Sequence, residues 1–160
     1  MDNLPTFVTS IVRLWNVNQH REDLYKQAMA LDNVGSLRKI CSHGFISSLL
    51  FKKELQWVYD GIKCALSDGE IGSILGKKTE QNDASFFSAQ DKLSIARILR
   101  EQERRTIKLY KATLNAMNLS YDENQILTDH LEKLKDLDFN INRELINSYE
   151  NFQPFQNPIA

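Results

Sequence analysis

Apolar side chains recur along most of this chain at steps of three and four, the spacing that gathers them on one side of an α-helix. Phe7, Val8, Ile11, Leu14, Trp15, Tyr25, Ala28 and Met29 make the first such stripe, which Asn18 and Glu22 interrupt while staying on its face. The pattern predicts a helix over residues 4–31, with Asn3 as its N-cap and Pro5 in the first turn, where a missing N–H costs little. Asp32-Asn33-Val34-Gly35-Ser36 reads as a tight turn, which makes the next helix an antiparallel neighbour. That helix is predicted over 36–66, with Leu37, Ile40, Cys41, Phe45, Leu49, Leu55, Val58, Tyr59 and Ile62 inward. Gly44 would let a neighbour approach closely.

The helical pattern breaks over 67–88, where Gly69, Gly72 and Gly76 precede a polar run from Lys77 to Asp83. A connection this long is unusual inside a bundle, and a crossover carrying the chain along it is the natural explanation. Ile71, Ile74, Leu75, Phe86 and Phe87 would pin such a crossover to the bundle. Ser88 with Asp91 resembles a capping box, with Asp in place of the usual Glu or Gln, and opens a third helix predicted over 89–117. Its stripe is Leu93, Ala96, Leu99, Glu103, Ile107, Tyr110, Leu114 and Met117. Ser120 and Glu123 form a complete capping box for a fourth helix over 121–149, with Leu127, Leu131, Leu134, Leu137, Ile141 and Leu145 inward. The expectation is an all-α four-helix bundle in one domain, residues 1–150, with a long crossover between helices 2 and 3. Residues 151–160, which hold Pro154 and Pro158, form a C-terminal tail.

Composition narrows the function classes. At 160 residues, with 42% apolar and 26% charged side chains, the chain can bury a core of its own. Twenty basic and 21 acidic residues give a net charge of −1, so there is no general pull toward nucleic acid or an anionic membrane. No run of about 18 apolar residues spans a membrane, and Met1-Asp2-Asn3-Leu4-Pro5 lacks the basic and apolar blocks of a signal peptide. The expected compartment is the cytoplasm. Cys41 and Cys64 lie on one predicted helix, roughly 35 Å apart at 1.5 Å per residue, too far to bridge.

Glu22 and Glu103 sit within otherwise apolar stripes, on the first and third helices. A buried carboxylate is costly unless it is paired, hydrogen-bonded or bound to metal. In di-iron bundles the first and third helices each give a Glu, and the second and fourth each give a Glu-x-x-His pair. Here the second helix carries Ser47, Ser48 and Lys52 at that depth, and the fourth has His130, Glu132, Asp136 and Asp138 without that motif. The alternative is that Glu22 and Glu103 reach water or pair with Arg21, Arg104 or Lys26. Were Glu103 buried without metal or partner, burial would favour its protonated form, and Glu103→Gln would stabilise the fold. Of His20, His43 and His130, the last lies nearest an inner stripe. A basic row on the third helix, Arg97, Arg100, Arg104, Lys108 and Lys111, could hold phosphates, although no aromatic residues interleave it. No nucleophile–base motif, phosphate-binding glycine loop or His-Glu-x-x-His occurs.

The segment Glu22-Asp23-Leu24-Tyr25-Lys26-Gln27-Ala28, the Gly72-Ser73-Ile74-Leu75-Gly76 stretch, and Glu103 followed by Tyr110 and Leu114 come in a telling order. Over about residues 10 to 146 the chain resembles a family of uncharacterised bacterial four-helix proteins of the ferritin-like superfamily. The resemblance implies two antiparallel helix pairs joined by a long crossover. It also implies Glu22 and Glu103 at metal positions, with Asp138 where some relatives have a fourth-helix His; His130 is a further metal candidate from its own place near an inner stripe, beside Asp129. No resident cofactor is expected, and iron or manganese is the alternative. The functional expectation is a non-catalytic bundle acting through protein–protein contacts, as a homodimer or other assembly. Trp57 and the aromatic tail are its candidate contact residues. An incomplete metal site and an anion-binding or nucleic-acid-binding third helix are the competing readings.

Overall fold

The computed structural model describes residues 4–32, 34–63 and 91–151. Within them the chain forms four helices: α1 (Leu4–Met29), α2 (Leu37–Lys63), α3 (Lys92–Ala116) and α4 (Tyr121–Asn151). The described residues contain no strand, and no helix among them is long and apolar enough to cross a membrane. The expected crossover at 67–88 and the tail beyond Asn151 lie outside the described residues.

Caps and turns fix the boundaries. α1 stops two residues short of the predicted end, because the guanidinium of Arg38 reaches back to the Met29 and Leu31 carbonyls at 2.6 and 2.7 Å. Those carbonyls have no partner within the helix, and a cation there also faces the negative end of its dipole. Gly35 takes the left-handed conformation (φ 52°) that the turn requires, and Val34 beside it is fully buried. α3 begins at Lys92, three residues later than predicted, because Asp91 is the N-cap and accepts from the Ser94 N–H at 2.8 Å. The Ser120–Glu123 capping box is closed in both directions.

α1 packs against α2 and α3, and α4 packs against the same two helices. Side-chain pairs give the directions. Arg21 meets Ser47 while Tyr25 meets Gly44, so α1 and α2 are antiparallel. Asn18 meets Tyr110 and Arg21 meets Glu103, which makes α1 and α3 antiparallel too. Glu54 with His130 and Ser36 with Glu144 set α2 against α4. Tyr110 with His130 and Arg100 with Asp138 do the same for α3 and α4. α2 and α3 therefore run the same way, and Lys92, at the start of α3, donates to Ser36 beside the start of α2.

The apolar core falls into two main clusters. Leu24, Tyr25, Ala28, Leu37, Cys41, Ile95, Leu99 and Ile141 fill one end of the bundle. Ile11, Leu14, Phe51, Leu55, Tyr110, Leu127, Leu131 and Leu134 fill the other. Between them, each of α1, α2 and α3 presents polar residues: Asn18 and Arg21; Ser47 and Ser48; Gln102, Glu103 and Thr106. Tyr25 crosses toward α2 at Gly44, where a Cβ would stand 2.3 Å from its ring.

Candidate functional site

The centre of this polar layer is Arg21, which is fully buried. Its Nε and Nη2 donate to the two oxygens of Glu103 at 2.7 and 3.0 Å, a bidentate pair with both side chains sealed from solvent. Nη1 donates to Asn18 Oδ1 at 2.8 Å and Nη2 also reaches Ser47 Oγ at 2.9 Å. The guanidinium lies 5.3 Å from the Phe51 ring centroid and 5.7 Å from that of Tyr25. Burial alone would lower the Arg21 pKa, but the charge and hydrogen bonds of Glu103 more than offset it, so the group is held charged.

The network runs on from Asn18. Its amide donates to the Tyr110 hydroxyl at 2.9 Å, and that hydroxyl lies 2.9 Å from His130 Nδ1. His130 Nε2 lies 2.9 Å from Glu54 Oε1, whose side chain is 45% exposed. Burial pushes the His130 pKa down to about 4, against the pull of Glu54, so the ring is neutral at pH 7. The partners then assign the tautomer: Nε2–H donates to the Glu54 carboxylate, and Nδ1 accepts the Tyr110 proton. The Tyr110 hydroxyl is pushed above its ordinary range, chiefly by burial. Phe51 stacks on the His130 ring, with centroids 3.9 Å apart and planes 11° apart. One chain of hydrogen bonds thus ties all four helices, from Glu103 through Arg21, Asn18, Tyr110 and His130 to Glu54.

The four candidate metal ligands fall in separate places. Glu103 faces Arg21. Glu22 lies 2.5 Å from the Lys52 ammonium, which also donates to Gln19 and covers the Trp15 ring. That Glu22–Lys52 contact is an ion pair without hydrogen-bond alignment. Asp138 meets Arg100 at 3.2 Å, and His130 lies in the chain just described. Among the described residues, no group of three or more His, Cys, Asp or Glu side chains is arranged to hold a metal ion. A divalent cation at Glu103 would have to displace Arg21, which already neutralises that carboxylate and bonds both its oxygens.

The buried layer offers little chemistry. At neutral pH Arg21 stays protonated, Tyr110 keeps its proton and His130 stays neutral, so none of the three exchanges a proton easily. Cys41 is buried and its thiol is pushed up to about 12, mainly by burial, which leaves it unreactive. The sequence named Arg21 only as a possible partner, yet it is the centre. The signal that could have found it is Asn18–Arg21 at a three-residue step, which puts both on one line of the helix.

The second feature is on the surface. α2 turns Ile46, Leu49, Leu50 and Trp57 to solvent at helical spacing, with Trp57 73% exposed. Leu49, expected inward, is on this outer face; Phe51 takes the buried position instead.

Comparison with known protein families, with curated proteins and with solved structures finds nothing that matches this chain. Fold and site together define an all-α four-helix bundle with a polar middle layer and an apolar outer stripe.

Proposed function

We propose that this is a non-catalytic bundle of ferritin-like topology that works by self-association, with the outer face of α2 docking a second copy of the chain. The ferritin-like part is supported by four antiparallel neighbour pairs with α2 and α3 running the same way, a layout that needs a long crossover. The observation that carries the self-association is the stripe Ile46, Leu49, Leu50 and Trp57. Scattered exposed apolar residues need no explanation, but a contiguous patch of a few hundred Å² marks an interaction surface.

A second copy is the occupant that the face itself favours, because an antiparallel two-fold contact lays the stripe of one copy over that of the other. Lys39 and His43 are exposed at one end of the stripe, and Asp60 is exposed at the other. An isologous two-fold contact between antiparallel α2 helices sets residue i against j and j against i. With Ile46 of one copy over Trp57 of the other, His43 falls opposite Asp60 and Leu50 opposite the stem of Lys53. The aromatic anchor is then buried in each copy.

Light scattering on the eluting protein tests this. The wild type should run at twice the monomer mass at micromolar concentration, and Leu50→Glu should run as a monomer with unchanged helical circular dichroism. A monomeric wild type, or a Leu50→Glu variant that still dimerises, would overturn the reading.

A further inference from the structure

A groove of about 840 Å³ runs between α3 and α4, on a side of the bundle that α2 does not border. Among the described residues, seven basic and two acidic side chains line it, a surplus of five positive charges in a chain whose formal net charge is −1. The acids are each taken: Asp138 pairs with Arg100, and Glu101 pairs with Arg105. Among the described residues, Arg97, Arg104, Lys108, Lys111 and Lys135 have no acidic partner within ion-pair distance. Charges of one sign left unpaired along a shared groove repel one another, and an anion relieves that repulsion.

We infer that this groove binds a linear chain of phosphates and reads its charge rather than any base or sugar. The shape of the row gives the ligand its form. Arg97, Arg100, Arg104, Lys108 and Lys111 follow each other at steps of three and four along one helix, so the row is straight and spans roughly 21 Å at 1.5 Å per residue. At about 3.4 Å per charge along one nucleic-acid strand, that length faces about six phosphates. A compact anion would meet one or two of these cations and leave the rest unmatched. Guanidinium forks match phosphate oxygens in pairs, and the lysines add point charges between them. Among the described residues no aromatic side chain lines the groove, so these offer stacking to no base. The apolar lining among the described residues is Ile107 and Leu145.

Inorganic polyphosphate and single-stranded nucleic acid present this same chemistry, and a titration separates them. Fluorescence anisotropy is measured with labelled polyphosphate and with labelled oligothymidylate of matched charge, at several salt concentrations. The full chain should bind both with similar affinity, inorganic orthophosphate should compete weakly, and affinity should fall linearly with log salt. Replacing two contacts, in Arg104→Glu/Lys108→Glu, should cut affinity at least tenfold and lower the salt slope by roughly 1.4. Both positions are exposed, so the fold should survive, as circular dichroism checks. Leu50→Glu, remote from the groove, should bind as the wild type does. Absence of binding at low salt would overturn the inference. So would oligonucleotide binding without polyphosphate binding, or binding untouched by the double charge reversal.

Discussion

Arg21 shows how one residue changes the meaning of its neighbours. Its guanidinium meets Glu103 in a dry site, so neither charge can be removed alone without leaving the other buried. An unpaired Glu103 would be relieved by Glu103→Gln. With Arg21 in place the sign reverses, and Glu103→Gln should destabilise by about 3–5 kcal/mol in urea unfolding. The paired replacement Arg21→Met/Glu103→Leu should cost much less than either single change, since it strands no charge. A Glu103→Gln protein more stable than the wild type would restore the unpaired carboxylate. His130 carries the pH dependence. Its folded pKa of about 4 lies below its ordinary 6.5, so the unfolded chain binds the extra proton first as pH falls. Glu54 from α2, Tyr110 from α3, Lys133 from α4 and Arg21 from α1 all act on the ring. Stability should therefore hold above pH 6.5 and fall between pH 6.5 and 4, by on the order of 3 kcal/mol. Thermal melts at pH 7 and 5 check this, and His130→Gln should flatten the difference.

At the scale of the helix, α2 holds two glycines whose substitutions should act in opposite directions. A Cβ at Gly44 meets the Tyr25 ring at 2.3 Å, inside a packed core where Tyr25 has nowhere to go. Overpacking of this kind costs about 1–3 kcal/mol, more than the ~1 kcal/mol that alanine gains in helix propensity. Gly61, with nothing within 4 Å of its would-be Cβ, has only the gain. Gly44→Ala should lower the melting temperature and Gly61→Ala raise it, and a stabilised Gly44→Ala would contradict the close approach. The periodicity made the helices legible, because a buried stripe at 3.6-residue spacing leaves its mark whatever the packing partner. It did less well where two faces compete. Leu49 and Phe51 are both apolar and two residues apart, and only the neighbouring helices decide that Phe51 goes in. Glu22 and Arg21 are likewise adjacent, and the stripe pointed to Glu22, whereas Arg21 is the one that is fully buried. The carboxylate at Glu103 was visible as an interruption of an apolar run, but the cation facing it came from another helix, 82 residues away. Asp91 read as the second member of a capping box, and it is itself the N-cap, because its carboxylate accepts from the Ser94 N–H.

Three places in the described bundle do different work. The middle layer joins the four helices through one chain of hydrogen bonds, which fixes their mutual height. The α3–α4 groove keeps Arg97, Arg104, Lys108, Lys111 and Lys135 without an acidic partner among the described residues, and the outer α2 face keeps its large apolar side chains in water. On the proposed reading, a second copy covers the last of these. Sedimentation equilibrium of the wild-type chain across the micromolar range, with Trp57→Glu beside it, tests this most directly. The account expects a monomer–dimer equilibrium for the wild type and a single monomeric species for the variant. A wild type that stays monomeric at every concentration would contradict it.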